Sequence, residues 1–180
     1  MADGEVHGEL APGSVELQTL LSSQQRPHML HSITIRPAVS TDSSAIALLM
    51  AQLCYPAAPD EVAARLARLQ AFRDATVLVA DLKGQVIGLV TGHVFPSIHA
   101  PALVAWLTTL VVDAQHLHEG AGRQLCSAVE SWAQGHGAAR ISVTSGKHRD
   151  GAHAFYERIG YERTGLRLTK AFPEIVAPEP

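Results

Sequence analysis

A strand, a turn with two glycines and a helix follow one another in the second half of the chain. Residues 107–112 form an apolar run typical of a strand, and the turn ends in Gly120-Ala121-Gly122. The helix is indicated by apolar residues at helical spacing, namely Leu125, Val129, Trp132 and Ala133. Its first N–H groups would be free and partly positive, and glycine lets an anion come close to them. The turn therefore predicts a phosphate-binding site.

The spacing of this turn differs from two common phosphate-binding patterns. A dinucleotide-binding fingerprint would place its third glycine at position 125, where the chain has leucine. No Gly-Lys-Ser/Thr follows, so the turn is not a Walker A loop. Two glycines also suit a tight turn that binds nothing. Taken alone, the turn leaves a ligand site and a plain turn as alternatives.

A second segment with chemical potential is AHAFYERIGY, residues 152–161, which contains Tyr156. A phenol has a pKa of about 10, so Tyr156 is protonated at neutral pH and can hydrogen-bond or protonate a leaving group. The alternative is a core aromatic residue whose hydroxyl is hydrogen-bonded within the fold.

In this order, the two segments resemble motifs A and B of the GNAT acetyltransferase superfamily. Motif A has the pattern R/Q-x-x-G-x-G/A, matched here by Leu117-His118-Glu119-Gly120-Ala121-Gly122, and motif B has A-x-x-F-Y-x-x-x-G-F/Y, matched by residues 152–161. The resemblance covers about residues 33–172. It implies a single-domain α/β fold in which a mixed central β-sheet is flanked by helices.

The resemblance also implies a coenzyme site for acetyl-coenzyme A. The motif A turn would hold the pyrophosphate, and the backbone of Leu110, Val111 and Val112 would bind the acetyl and pantetheine parts, with the Val112 N–H facing the thioester carbonyl. Tyr156 would be the catalytic residue near the coenzyme sulfur. Three further residues are candidates for coenzyme contacts: Arg123, Arg149 and His153, the last also as an alternative proton donor.

Some positions depart from the family pattern. Leu117 replaces the Arg or Gln that begins the turn, and Arg123 would offset that loss if it points to a phosphate. Arg149 stands where many members have asparagine, in a basic loop that suits either a 3′-phosphate or a plain surface. The glutamate base of some members is absent, since the strand has Thr-Thr at 108–109. His93 and His99 are the remaining base candidates, with surface or packed histidines as the alternative.

Other elements must position these segments. Strands are predicted at residues 33–37, 76–81, 85–95, 103–112 and 139–145, with a final hairpin of 161–164 and 166–171. Helices are predicted around Ile46–Leu53, at 60–72 after breaks at Pro56 and Pro59, from the motif A turn to about 135, and at 150–159. Gly88 and Gly92 predict a bend or a close approach by another element. Residues 1–31 are expected to be a flexible extension, 32–172 the domain, and 173–180 a loose tail.

Composition narrows the functional classes. The 180 residues carry a net charge of −3, with pI near 6.3, which argues against non-specific binding to nucleic acid or an anionic membrane. Neither a membrane span nor a signal peptide is evident, so a cytoplasmic location is expected. Cys54 and Cys126 are predicted on separate helices as reduced core residues. No zinc motif occurs, and His116 and His118 suit a solvated turn, so no metal is expected.

The sequence therefore predicts an acetyl-coenzyme A-dependent N-acetyltransferase that acts on a small-molecule amine by direct transfer in a ternary complex. Cys126 falls within the motif A helix, so nothing marks it as an acyl-carrying nucleophile. A protein N-terminus or lysine as acceptor remains an alternative, and so does a non-catalytic acyl-coenzyme A-binding module. A homodimer is left open. The acceptor is expected against the first two helices and the loop at 96–101, where its identity cannot be read.

Overall fold

The computed structural model describes residues 32–172, and the predictions for residues 1–31 and 173–180 lie outside that range. Within it, five strands form one sheet in the order β1-β2-β3-β4-β5. Neighbouring strands are antiparallel, except that β5 runs parallel to β4. The strands are β1 (Ile33–Pro37), β2 (Ala75–Leu82), β3 (Gln85–Phe95), β4 (Leu103–Val112) and β5 (Ala138–Val143).

In the described range four α-helices flank the sheet: α1 (Ser43–Gln52), α2 (Pro59–Gln70), α3 (Ala121–Gly135) and α4 (Asp150–Arg158). Pro59, predicted to separate the first two helices, is the first residue of α2, where a missing N–H costs nothing. The Glu61 carboxylate accepts a hydrogen bond from the Ala58 N–H and helps to fix that helix start. Two short 3₁₀ turns, Ser40–Asp42 and Ala114–His116, complete the helical segments of the described range.

The two faces of the sheet pack against different helices. Buried side chains of α1 and α2, such as Leu49 and Leu66, pack with Val79 and Leu89 on one face. On the other face, α3 packs with Ile87 and other residues of β3 and its neighbours. The central strand β3 is consequently buried on both faces over most of its length. The predicted α/β class, with a mixed sheet flanked by helices, is confirmed.

The close approach predicted at the glycines of β3 is made by α3. A Cβ on Gly88 would lie 2.9 Å from Leu125 Cδ1, and a Cβ on Gly92 would lie 2.5 Å from Val129 Cγ2. Side chains at these positions would push α3 away from the sheet. The two glycines therefore set the distance between α3 and the sheet, and with it the position of the turn at the N-terminus of α3.

A network of charges fixes the start of the domain. The Arg36 guanidinium donates to Asp42 (2.8 and 3.0 Å) and to Asp81 (2.9 and 3.0 Å). Asp42 also accepts a hydrogen bond from the Val39 N–H at 2.8 Å, and its side chain is only 8% exposed. The hydrogen bond from Arg36 is the main reason why the pKa of Asp42 is lowered. The network ties β1 to β2 and to the segment that leads into α1.

Two predictions are wrong. Residues 161–172 contain no strand, so the expected final hairpin is absent; Leu166 and Leu168 are 87% and 94% exposed. An apolar alternation gives a stable strand only when one face is covered, and these side chains have no such cover. Cys126 is buried in α3 as expected, but Cys54 is exposed in the turn after α1 with a φ of 66°.

No helix between residues 32 and 172 has the length and apolar character to cross a membrane.

Candidate active site

Strands β4 and β5 separate halfway along β4. They are paired from Leu103 to Leu107, and beyond Leu107 no strand among residues 32–172 pairs with β4 on that side. A bulge lies at the same place, since Thr91 pairs with Thr109 while Gly92 pairs with Leu107, which leaves Thr108 as the extra residue. Alternate backbone groups of Leu110, Val111 and Val112 therefore face a cleft that β5 has left. An extended ligand could pair with them as a strand would.

The turn after β4 presents a series of free N–H groups. In the described part of the chain, none of the N–H groups of residues 118–123 donates to the protein, and the first helical bond of α3 runs from Gln124 N–H to Gly120 C=O at 3.1 Å. His118 and Gly120 have positive φ values of 68° and 91°. Such turns at a helix N-terminus form concave sets of donors that favour anions. The geometry thus fits the phosphate site predicted for this turn.

The two glycines of the turn have different structural reasons. Gly120 is the N-cap of α3 in the left-handed region, which is costly for other residues. Gly122 is helical, and a Cβ there would point at Phe155 Cζ (3.4 Å) and Val112 Cγ2 (3.6 Å). The side of Gly122 that lacks a side chain therefore faces the packing between β4, α3 and α4. The missing side chain at Gly122 suits this packing, and the approach of an anion to Gly122 stays a prediction.

The side chains of the turn are mostly exposed. Leu117, His118 and Glu119 face solvent, and Arg123 is exposed in the first turn of α3. The Glu119 carboxylate lies 3.2 Å from His116 Nδ1. Anion binding at this turn would accordingly depend on backbone N–H groups, with Arg123 as the nearby cation.

Tyr156 lies half-buried on α4 between two aromatic rings. Its ring centroid is 5.3 Å from that of Phe155 and 5.4 Å from that of Tyr161. Its hydroxyl has no hydrogen-bond partner between residues 32 and 172. Burial, followed by the nearby Cys126 thiol, raises the pKa of Tyr156, with Arg149 acting in the opposite direction. The phenol is therefore kept protonated, and no acceptor among residues 32–172 competes for its proton.

A hydrogen bond that the sequence did not predict supports this tyrosine. The Tyr161 hydroxyl donates to Glu130 Oε1 at 2.9 Å and so joins the end of α4 to α3. The bond also contributes, after burial, to a raised pKa of Tyr161. Glu130 lies five residues after Leu125 in α3 and carries no local sign of this role. Only the packing of the two helices brings the pair together.

Arg149, a candidate for a coenzyme phosphate contact, forms a hydrogen bond within the protein. Its guanidinium donates to the Leu53 carbonyl at 3.2 Å, at the end of α1. Arg149 thereby links the start of α4 to the opposite layer of the fold. His153, one turn further along α4, is half-buried.

The two base candidates differ in surroundings. His99 is exposed in the loop after β3, with Nδ1 2.7 Å from Ser97 Oγ and Nε2 beside the Arg140 guanidinium. His93 is half-buried on β3 and lines a recess that also includes Trp106 and Thr108. Because His99 is already hydrogen-bonded on both ring nitrogens, His93 is the better placed of the two to accept a proton.

Comparison with known proteins places this geometry in a family. Residues 46–161, more than half of the chain, match the acetyltransferase (GNAT) family model. An aminoalkylphosphonate N-acetyltransferase of Salmonella typhimurium is 26% identical over 159 residues, which cover 84% of this chain and 99% of that protein.

Solved structures share the fold at low sequence identity. An aminoglycoside N-acetyltransferase in complex with CoA superposes with a TM-score of 0.70 at 17% identity, covering 79% of this chain and 95% of that one. Glucosamine-6-phosphate N-acetyltransferase from Arabidopsis thaliana superposes with a TM-score of 0.69 at 15% identity, covering 78% and 99%. At these identities the superpositions show the fold alone.

Proposed function

The chain belongs to the GNAT family of acetyltransferases, and from that premise we propose that it transfers an acetyl group from acetyl-coenzyme A to the primary amine of a small molecule. The observation that carries the proposal is the cleft between β4 and β5, which opens beside a turn of free N–H groups. The cleft suits an extended chain that can pair with a strand, and the turn suits a phosphate. Coenzyme A has both parts in one molecule.

The coenzyme supplies an activated acetyl thioester, and the protein would position it. N–H groups of residues 118–123 would hold the pyrophosphate, with Arg123 as a side-chain contact. Backbone groups of Leu110, Val111 and Val112 would hold the pantetheine and acetyl parts, and one of their N–H groups would stabilise negative charge on the carbonyl oxygen. Holding both reactants in one cleft would remove much of the entropic barrier to their reaction.

Tyr156 would donate a proton in this reaction and His93 would accept one. As the amine nitrogen forms a bond to the carbonyl carbon and the C–S bond breaks, Tyr156 would give its proton to the departing sulfur. His93, directly or through a water molecule, would take the proton that the amine nitrogen loses. Transfer would be direct and not through Cys126, because that residue is buried in α3 and burial raises the pKa of its thiol to about 12.

A small-molecule acceptor is supported by the relatives. The Salmonella protein is named for an aminoalkylphosphonate, and the two fold neighbours for an aminoglycoside and for glucosamine 6-phosphate. Two alternatives follow from the same fold: an amine of a protein, either an N-terminus or a lysine, and an acyl-coenzyme A-binding module without catalysis.

Free thiol released from acetyl-coenzyme A in the presence of an amine library tests the proposal. We expect release only when enzyme, acetyl-coenzyme A and a suitable amine are all present. Gly120→Glu should abolish release and coenzyme A binding, because it adds a negative charge where phosphate would lie. Gly137→Glu is the matched control, since Gly137 also has a positive φ (85°) and open space around it but lies at the other end of α3. Coenzyme A binding without release for any amine or peptide would instead favour the non-catalytic alternative.

A further inference from the structure

A recess of about 400 Å³ lies where β3 and the first half of β4 meet the segment after α2. Its volume is within the range of pockets that hold small molecules. His93 and Trp106 are direct cross-strand partners within it. Six of the side chains that line it are Phe72, Asp74, His93, Phe95, Trp106 and Thr108.

The recess begins next to the proposed coenzyme cleft. Thr108, which lines the recess, is the bulged residue at which β4 leaves β5. At the usual rise along a strand, Thr108 is about 7 Å and Trp106 about 13 Å from Leu110. An acceptor whose amine reaches the thioester beside Leu110 would thus extend its other end into the recess.

Aromatic rings dominate the recess. Phe72 is 66% exposed and Phe95 is 40% exposed, although both are large and apolar. Trp106 lines the same recess, and its indole N–H is buried without a hydrogen-bond partner among residues 32–172. Aromatic rings that are grouped and left in contact with solvent mark binding surfaces for apolar groups.

The charged residues of the recess disfavour ligands with an anionic tail. Asp74 brings a carboxylate, and none of the residues that line the recess is a lysine or arginine. Arg167 lies 6.0 Å from the centroid of the Trp106 ring, but its guanidinium donates to Thr144 Oγ1 at 3.0 Å and does not line the recess. Phosphonate and phosphate groups are held by arginine, lysine or clustered N–H groups, and a carboxylate repels them.

We infer that this recess selects primary amines with an aromatic or other uncharged apolar tail and disfavours amines with a phosphonate tail; the inference rests on the proposed acetyl transfer. The preferred acceptor of this chain would then differ from the aminoalkylphosphonate after which its Salmonella relative is named. Transfer to such an amine follows the same balanced reaction, in which an N–C bond forms, the C–S bond breaks and the sulfur leaves as a thiol.

Two amines of matched length test the inference: 2-phenylethylamine and 2-aminoethylphosphonate. Both carry a primary amine on a two-carbon chain and differ in the tail. Their binding would be measured by calorimetry on the full-length protein saturated with coenzyme A. We expect 2-phenylethylamine to bind at least about tenfold more tightly, because its ring replaces water against the aromatic side chains.

Two variants locate the preference in the recess. Phe72→Ala should weaken binding of 2-phenylethylamine about fivefold or more, whereas Leu48→Ala, which truncates an apolar residue that is 70% exposed outside the recess, should leave it unchanged. Asp74→Lys should narrow the gap between the two amines, and Glu162→Lys makes the same change of charge at an exposed position that does not line the recess.

The outcomes separate the recess from the proposed transfer. Equal or tighter binding of 2-aminoethylphosphonate, or equal effects of Phe72→Ala and Leu48→Ala, would overturn the inference. Binding of 2-phenylethylamine that depends on Phe72, but without release of thiol from acetyl-coenzyme A, would support the recess and contradict the proposed transfer. Thiol release with 2-aminoethylphosphonate but not with 2-phenylethylamine would support the proposed transfer and contradict the inferred preference of the recess.

Discussion

Gly122 of α3 packs edge-on against Phe155 of α4, since a Cβ on Gly122 would lie 3.4 Å from the Cζ atom of the phenylalanine ring. The contact joins the two sequence motifs in space. Phe155 is followed directly by Tyr156, so the packing that seats Phe155 also fixes where the neighbouring phenol can lie. The glycine turn, proposed to bind phosphate, and the proposed acid Tyr156 are thus connected through this contact.

The two glycines of the turn should respond differently to alanine. Gly120→Ala forces a side chain into a left-handed residue with a φ of 91° and should lower stability by about 1–2 kcal/mol. Gly122→Ala places its Cβ at van der Waals distance from Phe155 and should change stability by about 0.5 kcal/mol or less. Urea unfolding would measure both. Loss of coenzyme A binding in a stably folded Gly122→Ala would show that the ligand approaches this residue on its Phe155 side.

Tyr156→Phe should lower kcat by about 100-fold with little change in coenzyme A affinity, because the hydroxyl is needed only when the thiolate leaves. Stability should change by about 1 kcal/mol or less, since no hydrogen bond to residues 32–172 is lost. Tyr161→Phe is the contrasting variant. It removes the bond to Glu130 and should cost about 1–3 kcal/mol while leaving kcat much less affected. A full rate in Tyr156→Phe would make Tyr156 a packing residue, with water or His153 as the proton source.

The pH profile offers a second test of the same tyrosine. Because burial raises the pKa of Tyr156, the proton-donating form persists at and above the ordinary tyrosine pKa of about 10. Titration of Tyr156 should therefore not lower kcat between pH 7 and about pH 9. Any fall of kcat in this range should come from another group and persist in Tyr156→Phe. An alkaline limb in this range that vanishes with the hydroxyl would contradict the buried, protonated state.

Asp42→Asn should destabilise the protein in a pH-dependent way. The hydrogen bond from Arg36 lowers the pKa of Asp42 in the native state, so its stabilisation is complete above the unfolded-state pKa of about 3.9 and is lost as the pH falls through the native pKa. At pH 7 the loss should be about 2–3 kcal/mol, since a largely buried partner is removed from the Arg36 network. Urea unfolding from pH 7 downward should show the two stability curves converging in acid. Parallel curves, as expected for the exposed control Glu162→Gln, would contradict this role.

Gly92→Ala should disturb the packing of α3 against the sheet. The new Cβ would lie 2.5 Å from Val129 Cγ2, an overlap that should cost about 1–3 kcal/mol. Val129→Ala removes the clashing methyl groups, so the double variant should lose clearly less stability than the sum of the single variants. A double-mutant cycle by urea unfolding measures this coupling, and additive losses would mean that the strand bends away from α3 instead.

The sequence alone determined the parts of the fold that depend on local patterns. β3 and β4 begin and end where apolar runs and flanking turn residues predicted them, at Gln85–Phe95 and Leu103–Val112. The α3 helix starts at the glycine turn because N–H groups and glycine conformations at a helix start are local properties. The order of the two motifs was also sufficient to indicate the family, which the family model then matched.

Only the tertiary structure decided what joins distant segments. It turns Arg149 to the Leu53 carbonyl, pairs Tyr161 with Glu130 and leaves residues 161–172 without a strand. Each of these depends on which surfaces meet across long stretches of chain, and the energy of a contact is not encoded in the spacing of either partner. The recess around Trp106 has the same origin: three separate segments contribute its aromatic rings, and each ring read alone would have been assigned to the core or the surface.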